Sequence, residues 1–412
     1  MSGVWPRRVP PAWTPLSFAS ILHAAVDALG EDPRARLREF LAKRYRADEV
    51  VLVDSGTHAL ELAIRTAHAA IAGRGTVGTA LPLTVALPAY SCFDLATAAI
   101  GAKARVELYD VEPGTLGPDL DSLEAALGAG ANVVVVAPLY GVPVDWDACS
   151  AITARHGAVL IEDAAQGQGA SWRGAPLGTL GELSVLSFGR GKGWTGGSGG
   201  ALLLRERMAG RWPRDAVARG AAYGGEGLVL AAAQHVLSRP SLFGIASAIP
   251  ALHVGETVYH APSAICAMSS SAAALLLRTA SLVEREAEQR RINGATIRAA
   301  FAARAVGAAE YPAAVVAPPE GNPGNLRFPC LAAGAAKSPF PADARRLGMG
   351  SPYPITLAQL EPLQPALTER SRTARFAGAE AIVQRLVTLP THSLAADADR
   401  RALVGILLGG SR

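Results

Sequence analysis

The stretch Leu183–Gly200 reads LSVLSFGRGKGWTGGSGG, a short apolar run followed by a glycine-rich loop with one lysine, Lys192, at its centre. Two earlier stretches also consist of an apolar run that ends in polar residues: Val51–Leu60 (VLVDSGTHAL) and Ala158–Ala165 (AVLIEDAA). Continuous runs of Val, Leu and Ile separated by helical segments are typical of a largely parallel sheet that is buried on both faces. The three stretches therefore predict an α/β fold whose polar groups gather where the strands end.

Seven apolar runs predict the strands of this sheet: Val50–Val53, Thr84–Leu87, Ala104–Tyr109, Asn132–Ala137, Ala158–Ile161, Leu183–Ser187 and Ala201–Leu204. Helices are predicted between them, at Thr57–Ala72, Asp119–Leu127 and Trp146–His156. A long amphipathic helix at Ser269–Ala303 would join two domains. We expect a large domain over residues 46–265 and a smaller C-terminal α/β domain over residues 266–412, with the N-terminal segment 1–45 packed beside the smaller one.

Composition argues against several classes of protein. Charged residues make up 18% of the 412 residues and the formal net charge is only +4, without a basic stripe interleaved with aromatic residues, so we expect no nucleic acid partner. The four cysteines show no Cys-x-x-Cys spacing, which argues against a zinc site or a disulfide framework. The N-terminus lacks a signal-peptide pattern, and the apolar stretch Ser241–Val254 is too short to span a bilayer. We expect a cytoplasmic protein without membrane association.

Lys192 is the residue whose surroundings point most directly to chemistry. A loop lysine is usually a solvated surface charge, but the glycines on both sides of it suit a main chain that something must approach closely. The pattern Gly191–Gly196 matches a dinucleotide fingerprint, yet the chain continues as a strand instead of opening a helix, and P-loop spacing is also lacking. A Schiff-base lysine needs a lowered pKa, which partial burial and a neighbouring cation, here Arg190, would provide.

A carboxylate follows the apolar run of Ala158–Ala165. Asp163 suits a helix cap or a salt bridge, but it also suits the acid that pyridoxal phosphate requires on its ring nitrogen, where a protonated ring acts as an electron sink. Glu162 would point to the opposite face of the sheet, because side chains alternate along a strand. Gln166, three residues after Asp163, is placed to reach the ring hydroxyl.

The turn after the first predicted strand suits a phosphate group. Ser55, Gly56 and Thr57 form an ordinary helix N-cap, and the free amides of a helix N-terminus together with a hydroxyl also bind a dianion. Ser187, at the end of its strand, would add another hydroxyl. An amine, a carboxylate and an anion site at strand ends thus indicate a pyridoxal-phosphate site.

Other candidates are less determined by the sequence. Pro88–Phe93 (PAYSCF) ends a strand, and Tyr90, Cys92 and Phe93 are alternatives for a side chain over the cofactor ring. Arg327 is either a surface arginine or a group that binds the carboxylate of a substrate, a task that suits a bidentate guanidinium. Together with Arg190 it is our candidate for substrate binding.

These motifs together resemble the DegT/DnrJ/EryC1/StrS family of sugar aminotransferases, which are fold-type I pyridoxal-phosphate enzymes. The likeness covers most of the chain and is densest between residues 51 and 204. It rests on an ordered set of segments: Ser55–Leu60, Gly101–Asp110 with the following VEPGTLGPDL, Leu139–Asp145, Glu162–Gln166, Gly178–Gly181, Ser187-Phe-x-x-x-Lys192 and Leu389–His392. The sequence departs from the family in having Gly189-Arg190 in place of His-Pro. It also has Cys92 where many members stack an aromatic ring on the cofactor, and no clear Gly-x-Asn-x-Arg element.

The resemblance implies roles for the candidate residues. Lys192 would condense with the cofactor aldehyde and then carry protons, and Asp163 would hold the ring nitrogen. Gln166 would lie beside the ring. Gly56, Thr57 and Ser187 would hold the phosphate. The family's active sites lie at a homodimer interface, so a homodimer is implied.

We therefore expect an aminotransferase whose amino donor is an amino acid, with glutamate as the expected donor. The acceptor would be a keto group of a nucleotide-linked sugar, in glycan or secondary-metabolite biosynthesis. One alternative is another pyridoxal-phosphate enzyme of the family, a dehydratase or a non-sugar aminotransferase. Dehydratases of the family carry histidine in place of the lysine, so Lys192 favours transfer. The other alternative is a catalytically silent relative that binds a partner or a glycan.

Overall fold

A computed structural model describes residues 7–73, 82–218, 224–247, 257–304, 312–334, 340–351 and 353–409. A seven-stranded sheet forms its centre. Its strands are β1 (Glu49–Val53), β2 (Thr84–Pro88), β3 (Arg105–Tyr109), β4 (Val133–Val136), β5 (Val159–Asp163), β8 (Leu183–Ser187) and β9 (Gly200–Leu204). The short strands β6 (Ser171–Trp172) and β7 (Ala175–Pro176) lie between β5 and β8 in the chain. Every end of the seven long strands lies within two residues of its predicted position, so these predictions are confirmed.

The order of the strands across the sheet is β1-β9-β8-β5-β4-β2-β3. The pairs from β8 to β3 are parallel, and β9 alone runs against both of its neighbours. The prediction of a largely parallel sheet is therefore confirmed. The carboxyl ends of β5 and β8 lie at one edge of the sheet, and Asp54, which follows β1, lies at the same edge.

Helices cover both faces of this sheet. The first nine are α1 (Phe18–Asp27), α2 (Pro33–Tyr45), α3 (Gly56–Ala72), α4 (Phe93–Gly101), α5 (Leu120–Gly128), α6 (Trp146–Arg155), α7 (Gly225–Leu237), α8 (Pro240–Ala246) and α9 (Ser270–Arg304). α3 and α4 pack on one face, in a core built largely from Ala, Val and Leu. α2, α5, α6 and α9 pack on the other face. Two buried faces explain why the strands read as continuous apolar runs rather than as alternating ones.

The chain after α9 forms a second, smaller sheet. It contains β10 (Ala313–Ala314), β12 (Phe328–Leu331) and β13 (Leu386–Leu389), all antiparallel, while β11 (Gly321–Asn322) pairs with β6. The remaining helices are α10 (Ala342–Arg346), α11 (Glu369–Thr373), α12 (Ala377–Arg385) and α13 (Asp397–Leu407). The predicted long helix is α9, which packs against α1, α2, α7 and α13.

The N-terminal segment has contacts in both parts of the chain. Arg7 pairs with Asp399 of α13, and the carbonyl of Pro10 accepts a hydrogen bond from His392, whereas α2 packs in the core of the large sheet. The domain boundaries stay a prediction. In the described part of the chain, no helix combines the length and the apolar character that crossing a membrane requires. The apolar stretch 241–254 lies partly outside the described residues.

Candidate active site

The three stretches predicted to carry chemistry meet in one cleft. It lies at the carboxyl ends of β5 and β8 and at the N-terminus of α3. Seven of the predicted site residues line it: Gly56, Thr57, Cys92, Asp163, Gln166, Ser187 and Lys192. The other lining residues are Leu60, Ser91, Asp94, Leu95, Ala137, Pro138, Leu139 and Ala165. Residues far apart in the sequence thus form one polar site, as the parallel topology requires.

Glycines hold the lysine loop against its neighbours. Gly191 and Gly193 have φ values of +74° and +86°, a region that residues with a side chain rarely adopt. A Cβ on Gly193 would also lie 3.0 Å from Arg290 Nη1 and 3.1 Å from Gln168 Cβ. Backbone conformation therefore favours glycine on both sides of Lys192, and at Gly193 the neighbouring side chains also leave little space for a Cβ.

The Lys192 amine lies among negative charges. It has no hydrogen-bond or ion-pair partner among the residues that the structure describes. Burial acts to lower its pKa, but the charges of Cys92, Asp94 and Asp163 outweigh burial, and the pKa of Lys192 is raised. Burial raises the pKa of the Cys92 thiol to about 12.

One prediction about this lysine is wrong. We expected Arg190 to lower its pKa, but the structure places the Arg190 side chain in solvent and gives the lysine acids as neighbours instead. An exposed guanidinium is screened by water and has little influence on a buried amine. The role of Arg190 in substrate binding stays a prediction.

Asp163 is a buried acid with few partners. Its carboxylate accepts one backbone hydrogen bond, from Ala165 N–H at 3.1 Å. Burial raises its pKa to about 6, and the charge of Lys192 opposes this rise. An incompletely satisfied carboxylate next to an amine can accept one further donor, such as a protonated ring nitrogen.

The N-terminus of α3 forms the anion-binding end of the cleft. The Ser55 hydroxyl caps the helix by accepting a hydrogen bond from His58 N–H at 3.1 Å, so Ser55 shapes this end without lining it. A Cβ on Gly56 would lie only 2.5 Å from Ser187 Cβ, so the first turn of the helix can touch β8 only because residue 56 is glycine. Two hydroxyls, on Thr57 and Ser187, and a helix N-terminus therefore face one small space.

The structure separates the three alternatives over the ring. Cys92 lines the cleft, Phe93 is buried in the core, and Tyr90 lies in a cluster of tyrosines beside the cleft. The cleft is therefore open beside Cys92, because a thiol is small and an aromatic side chain at this position would fill that part of the cleft.

A tyrosine cluster, Tyr90, Tyr140 and Tyr353, connects the cleft to Arg327. The hydroxyls of Tyr90 and Tyr140 are 3.4 Å apart, and the Tyr353 hydroxyl accepts a hydrogen bond from Gln166 Nε2 at 3.0 Å. Tyr140 N–H donates to Gln166 Oε1 at 3.0 Å, from a backbone with φ of +57°. Left-handed backbone is strained for a tyrosine and often marks a functional site. This geometry fixes the direction of the Gln166 amide.

Arg327 has a buried guanidinium, and none of the described residues forms an ion pair with it. Its Nε and Nη2 atoms have no hydrogen-bond partner in the described part of the chain. Burial lowers its pKa, while the neighbouring hydroxyls of the tyrosine cluster act to raise it. Two free donors on a buried cation are costly unless an anion from outside the chain binds there.

Sequence reasoning missed four residues of this region. Ser91 lines the cleft with a buried hydroxyl that has no partner among the described residues, and Asp94 is the second acid of the cleft. Tyr140 and Tyr353 come from segments distant from the lysine. Ser91 lies in the stretch Pro88–Phe93, which the sequence analysis considered, and Asp94 directly follows it. Tyr140 lies in the quoted segment Leu139–Asp145, but no local pattern there or at Tyr353 indicates that these side chains meet Gln166.

Comparison with known proteins identifies relatives of part of the chain. Residues 28–211 match the model of the DegT/DnrJ/EryC1/StrS aminotransferase family. The L-glutamine:2-deoxy-scyllo-inosose aminotransferase of Streptomyces kanamyceticus is 32% identical over 181 residues, which cover 44% of this chain and 40% of that protein. The 3-amino-5-hydroxybenzoate synthase of Amycolatopsis mediterranei is 33% identical over 175 residues, 42% of each chain. The matched region thus spans about two fifths of these curated relatives.

Solved structures match the fold over almost the whole chain. The crystal structure of 3-amino-5-hydroxybenzoic acid synthase superposes with a TM-score of 0.71 at 20% identity, covering 98% of both chains. The structure of AtS13 from Actinomadura melliaura gives a TM-score of 0.71 at 22% identity, covering 98% of this chain and 99% of the other. The predicted α/β fold with a mostly parallel central sheet is confirmed, and it is the fold of these two proteins.

Proposed function

We propose that this protein, whose residues 28–211 match the model of the DegT/DnrJ/EryC1/StrS aminotransferase family, is a pyridoxal-phosphate-dependent aminotransferase. It would move an amino group from an amino-acid donor to a keto group on a hydroxylated ring. The observation that carries this proposal is the meeting of Lys192, Asp163 and the N-terminus of α3 in one cleft. An amine, a buried acid and an anion site are the three groups that this cofactor needs.

The residues present fit the cofactor at each of its ends. The phosphate would bind the free amides at the start of α3 and the hydroxyls of Thr57 and Ser187, where Gly56 leaves the backbone accessible. Asp163 would accept a hydrogen bond from the protonated ring nitrogen, and burial keeps water from competing for that bond. The Gln166 amide, whose oxygen is held by Tyr140 N–H, would present its second N–H toward the ring.

The cofactor supplies an aldehyde that condenses with amines and a cationic ring that withdraws electrons from the attached carbon. The chain supplies the rest. The Lys192 amine, in a loop with glycines of positive φ on both sides of it, would hold the cofactor and then take a proton from one carbon atom and return it to another. Asp163 would maintain the positive charge of the ring by keeping its negative charge beside the ring nitrogen.

We propose Arg327 as the group that binds the carboxylate of the amino-acid donor. Its two unpartnered guanidinium atoms, Nε and Nη2, suit a carboxylate. The three tyrosines act on the charge of Arg327, and one of them, Tyr353, binds Gln166 of the cleft, which supports a carboxylate site close to the cleft. The donor would be glutamate, as the sequence predicts, or glutamine, which the name of the Streptomyces kanamyceticus relative gives as its donor.

For the acceptor we propose a polyhydroxylated ring ketone. The names of two relatives specify a deoxy-inosose and an aminohydroxybenzoate, which are ring compounds without a nucleotide. A nucleotide-linked sugar, a role in glycan synthesis, a homodimer and a cytoplasmic location stay predictions from sequence. Arg190, exposed near the lysine loop, stays the candidate for contact with an acceptor.

The test of the function begins with cofactor attachment. Purified protein is mixed with pyridoxal 5′-phosphate, reduced with borohydride, digested and examined by mass spectrometry. The label is expected on Lys192 and is expected to be absent in Lys192→Ala. The chain's other three lysines, Lys43, Lys103 and Lys337, serve as internal controls. Labelling of one of those three, or none at all, would refute the proposal.

The second step follows the two half-reactions separately. Glutamate or glutamine should convert the loaded protein to its amine form with release of the 2-oxo acid. A keto-cyclitol and a nucleotide-linked keto sugar, offered side by side to that form, should then restore the original absorbance to different extents. A protein that takes up the cofactor but never releases an oxo acid would belong to the non-transaminating alternative.

Arg327→Gln tests the donor site. We expect kcat/KM for the donor half-reaction to fall roughly 10²-fold, because a charged hydrogen bond of about 3 kcal/mol would be lost. The acceptor half-reaction should change much less. Arg298→Gln is a suitable control, since Arg298 packs over Phe328 and donates to the Val315 carbonyl in the same part of the chain. Unchanged donor kinetics would remove Arg327 from the site.

A further inference from the structure

Two helices that pack on the large sheet begin at the cleft, and their first turns differ in charge. The Ser55 hydroxyl caps α3, and the first turn of that helix contains no acid. α4 has Cys92 as its N-cap, without a capping hydrogen bond from the side chain, and Asp94 in its first turn. Residues of both first turns line the cleft. The proposed function places a phosphate at the start of α3 and leaves the start of α4 without a ligand.

Ser91 lies directly before the start of α4 and has a buried hydroxyl without a partner. The residue is 1% exposed and lines the cleft. Its Oγ atom forms no hydrogen bond with any residue that the structure describes. A buried hydroxyl that stays unpaired costs free energy, so such groups are almost always bonded in proteins. Because Ser91 lines the cleft, a molecule bound there can supply the missing bond.

The Asp94 carboxylate is the second polar group at this end of the cleft. The Cys92 thiol donates a hydrogen bond to Asp94 Oδ2 at 3.3 Å, which orients the carboxylate. In the described part of the chain, no other residue donates a hydrogen bond to Asp94 or forms an ion pair with it. The side chain is half-buried. Asp94 therefore keeps acceptor capacity for a ligand in the cleft.

These groups suit neutral hydroxyl groups better than an anion. A helix N-terminus attracts negative charge, but Asp94 in the first turn already supplies that charge and repels a second anion. A carboxylate accepts hydrogen bonds from hydroxyl groups, and the Ser91 hydroxyl can both donate and accept. The small Cys92 side chain leaves the cleft open beside them. Two neighbouring hydroxyl groups of a ligand would complete the bonds of Ser91 and Asp94.

We propose that Ser91 and Asp94 form a subsite at the start of α4 for neighbouring hydroxyl groups of the acceptor. This inference rests on the proposed function and narrows its acceptor to compounds with adjacent hydroxyl groups and no charge at this position. The start of α3 binds the cofactor phosphate, and the start of α4 binds substrate hydroxyl groups. A site that is built to pair a substrate hydroxyl discriminates strongly against an analogue without it, because the polar groups of the site are then left unpaired.

The first test removes one partner at a time from the protein and from the acceptor. The acceptor half-reaction of the amine-form protein is measured with a fully hydroxylated keto-cyclitol and with its monodeoxy analogues, each of which lacks one hydroxyl group. We expect Ser91→Ala to lower kcat/KM for the full acceptor up to about tenfold. For the analogue that lacks the matching hydroxyl group, the same substitution should cost almost nothing, because both changes remove one shared bond.

Asp94→Asn tests the other half of the subsite. It should lower kcat/KM for the full acceptor about tenfold or more, since a hydrogen bond to a charged group is lost. Its coupling should appear with an analogue that lacks a neighbouring hydroxyl group. Asp94→Ser is a second neutral variant that suits a helix start, for use if Asp94→Asn does not fold. Ser150→Ala on α6 and Asp121→Asn in the first turn of α5 are matched controls, because both residues are exposed, and both should keep wild-type kinetics.

A second readout requires no turnover. Iodoacetamide alkylates Cys92 in protein incubated with pyridoxal 5′-phosphate, and peptide mass spectrometry measures the rate. myo-Inositol, which has hydroxyl groups but no keto group, should slow this reaction in a saturable way, because Cys92 is half-buried and lies beside the subsite. Ser91→Ala should raise the inositol concentration that gives half of the protection. Cys266, which is also half-buried, is the internal control.

The outcomes for the subsite and for the proposed function are distinct. If Ser91→Ala lowers kcat/KM by the same factor for every acceptor, the subsite is overturned while the aminotransferase remains. If the protein never transaminates, yet myo-inositol protects Cys92 and the protection weakens in Ser91→Ala, the function is overturned and the subsite remains. In a protein without transferase activity, protection that is absent, or equal in wild type and Ser91→Ala, overturns the subsite as well.

Discussion

Two adjacent acids on β5, Glu162 and Asp163, have opposite environments. Glu162 is fully buried and accepts four hydrogen bonds, from Gly178 N–H, Leu180 N–H, Gly181 N–H and the Ser184 hydroxyl, at 2.6 to 3.3 Å. Asp163, on the other face of the sheet, accepts one, from Ala165 N–H. One residue along a strand therefore separates a satisfied carboxylate from an unsatisfied one.

The number of hydrogen bonds to each carboxylate indicates a structural role for Glu162 and a ligand-binding role for Asp163. Glu162 closes the turn before β8, so its negative charge is part of the framework that holds the strand. Asp163 keeps capacity for another donor, and burial raises its pKa to about 6. A fully bonded acid contributes stability, and an acid with spare acceptors is available for a ligand.

The largest expected effect is the loss of catalysis in Asp163→Asn. We expect kcat to fall roughly 10²- to 10³-fold, because one preorganised charge beside the cofactor ring is removed. The thermal midpoint without cofactor should not fall, since asparagine keeps the shape and removes a buried charge. Steady-state kinetics and thermal unfolding measure the two quantities. Near-normal kcat would remove Asp163 from its proposed role.

Glu162→Gln should have the opposite profile. The amide places an NH₂ group against backbone donors, so we expect a loss of about 3 kcal/mol in the free energy of unfolding. The folded fraction should keep most of its kcat, because the side chain lies on the face away from Lys192. Denaturant unfolding and kinetics normalised to folded protein check this. If Glu162→Gln were as stable as the wild type but had a much lower kcat, the proposed difference in role between Glu162 and Asp163 would be wrong.

The sequence predicted the sheet and much of the cleft for a physical reason. Buried parallel strands must be continuous apolar runs, and their polar residues must lie at the ends, so Asp163 and Lys192 were identifiable from local pattern alone. The orientation of Glu162 away from Asp163 followed from the alternation of side chains along a strand. These features depend on few residues that are close in sequence.

The features that sequence reasoning missed depend on long-range packing. Tyr353 reaches Gln166 across 187 positions of the chain, and no periodicity encodes such a contact. The left-handed backbone of Tyr140 comes from its surroundings, because tyrosine has no intrinsic preference for it. The expected influence of Arg190 on the pKa of Lys192 was wrong because the Arg190 side chain is exposed to solvent. Gly191, between the two residues, has a positive φ that nearby sequence alone does not predict.

The smallest expected effect is a pH dependence of stability in cofactor-free protein. The pKa of Asp163 is raised from 3.8 to about 6 in the folded state. A raised pKa means that the folded protein holds this proton more tightly than the unfolded chain. The resulting stability is fully present below pH 3.8 and is lost as the pH rises through about 6.

We therefore expect the thermal midpoint of the wild-type protein to fall relative to Asp163→Asn between those two pH values, by at most several degrees. The pKa of Lys192 is raised, so that amine titrates far above this window and leaves the comparison undisturbed. Parallel curves for wild type and Asp163→Asn would show that the two neighbouring acids do not differ in solution.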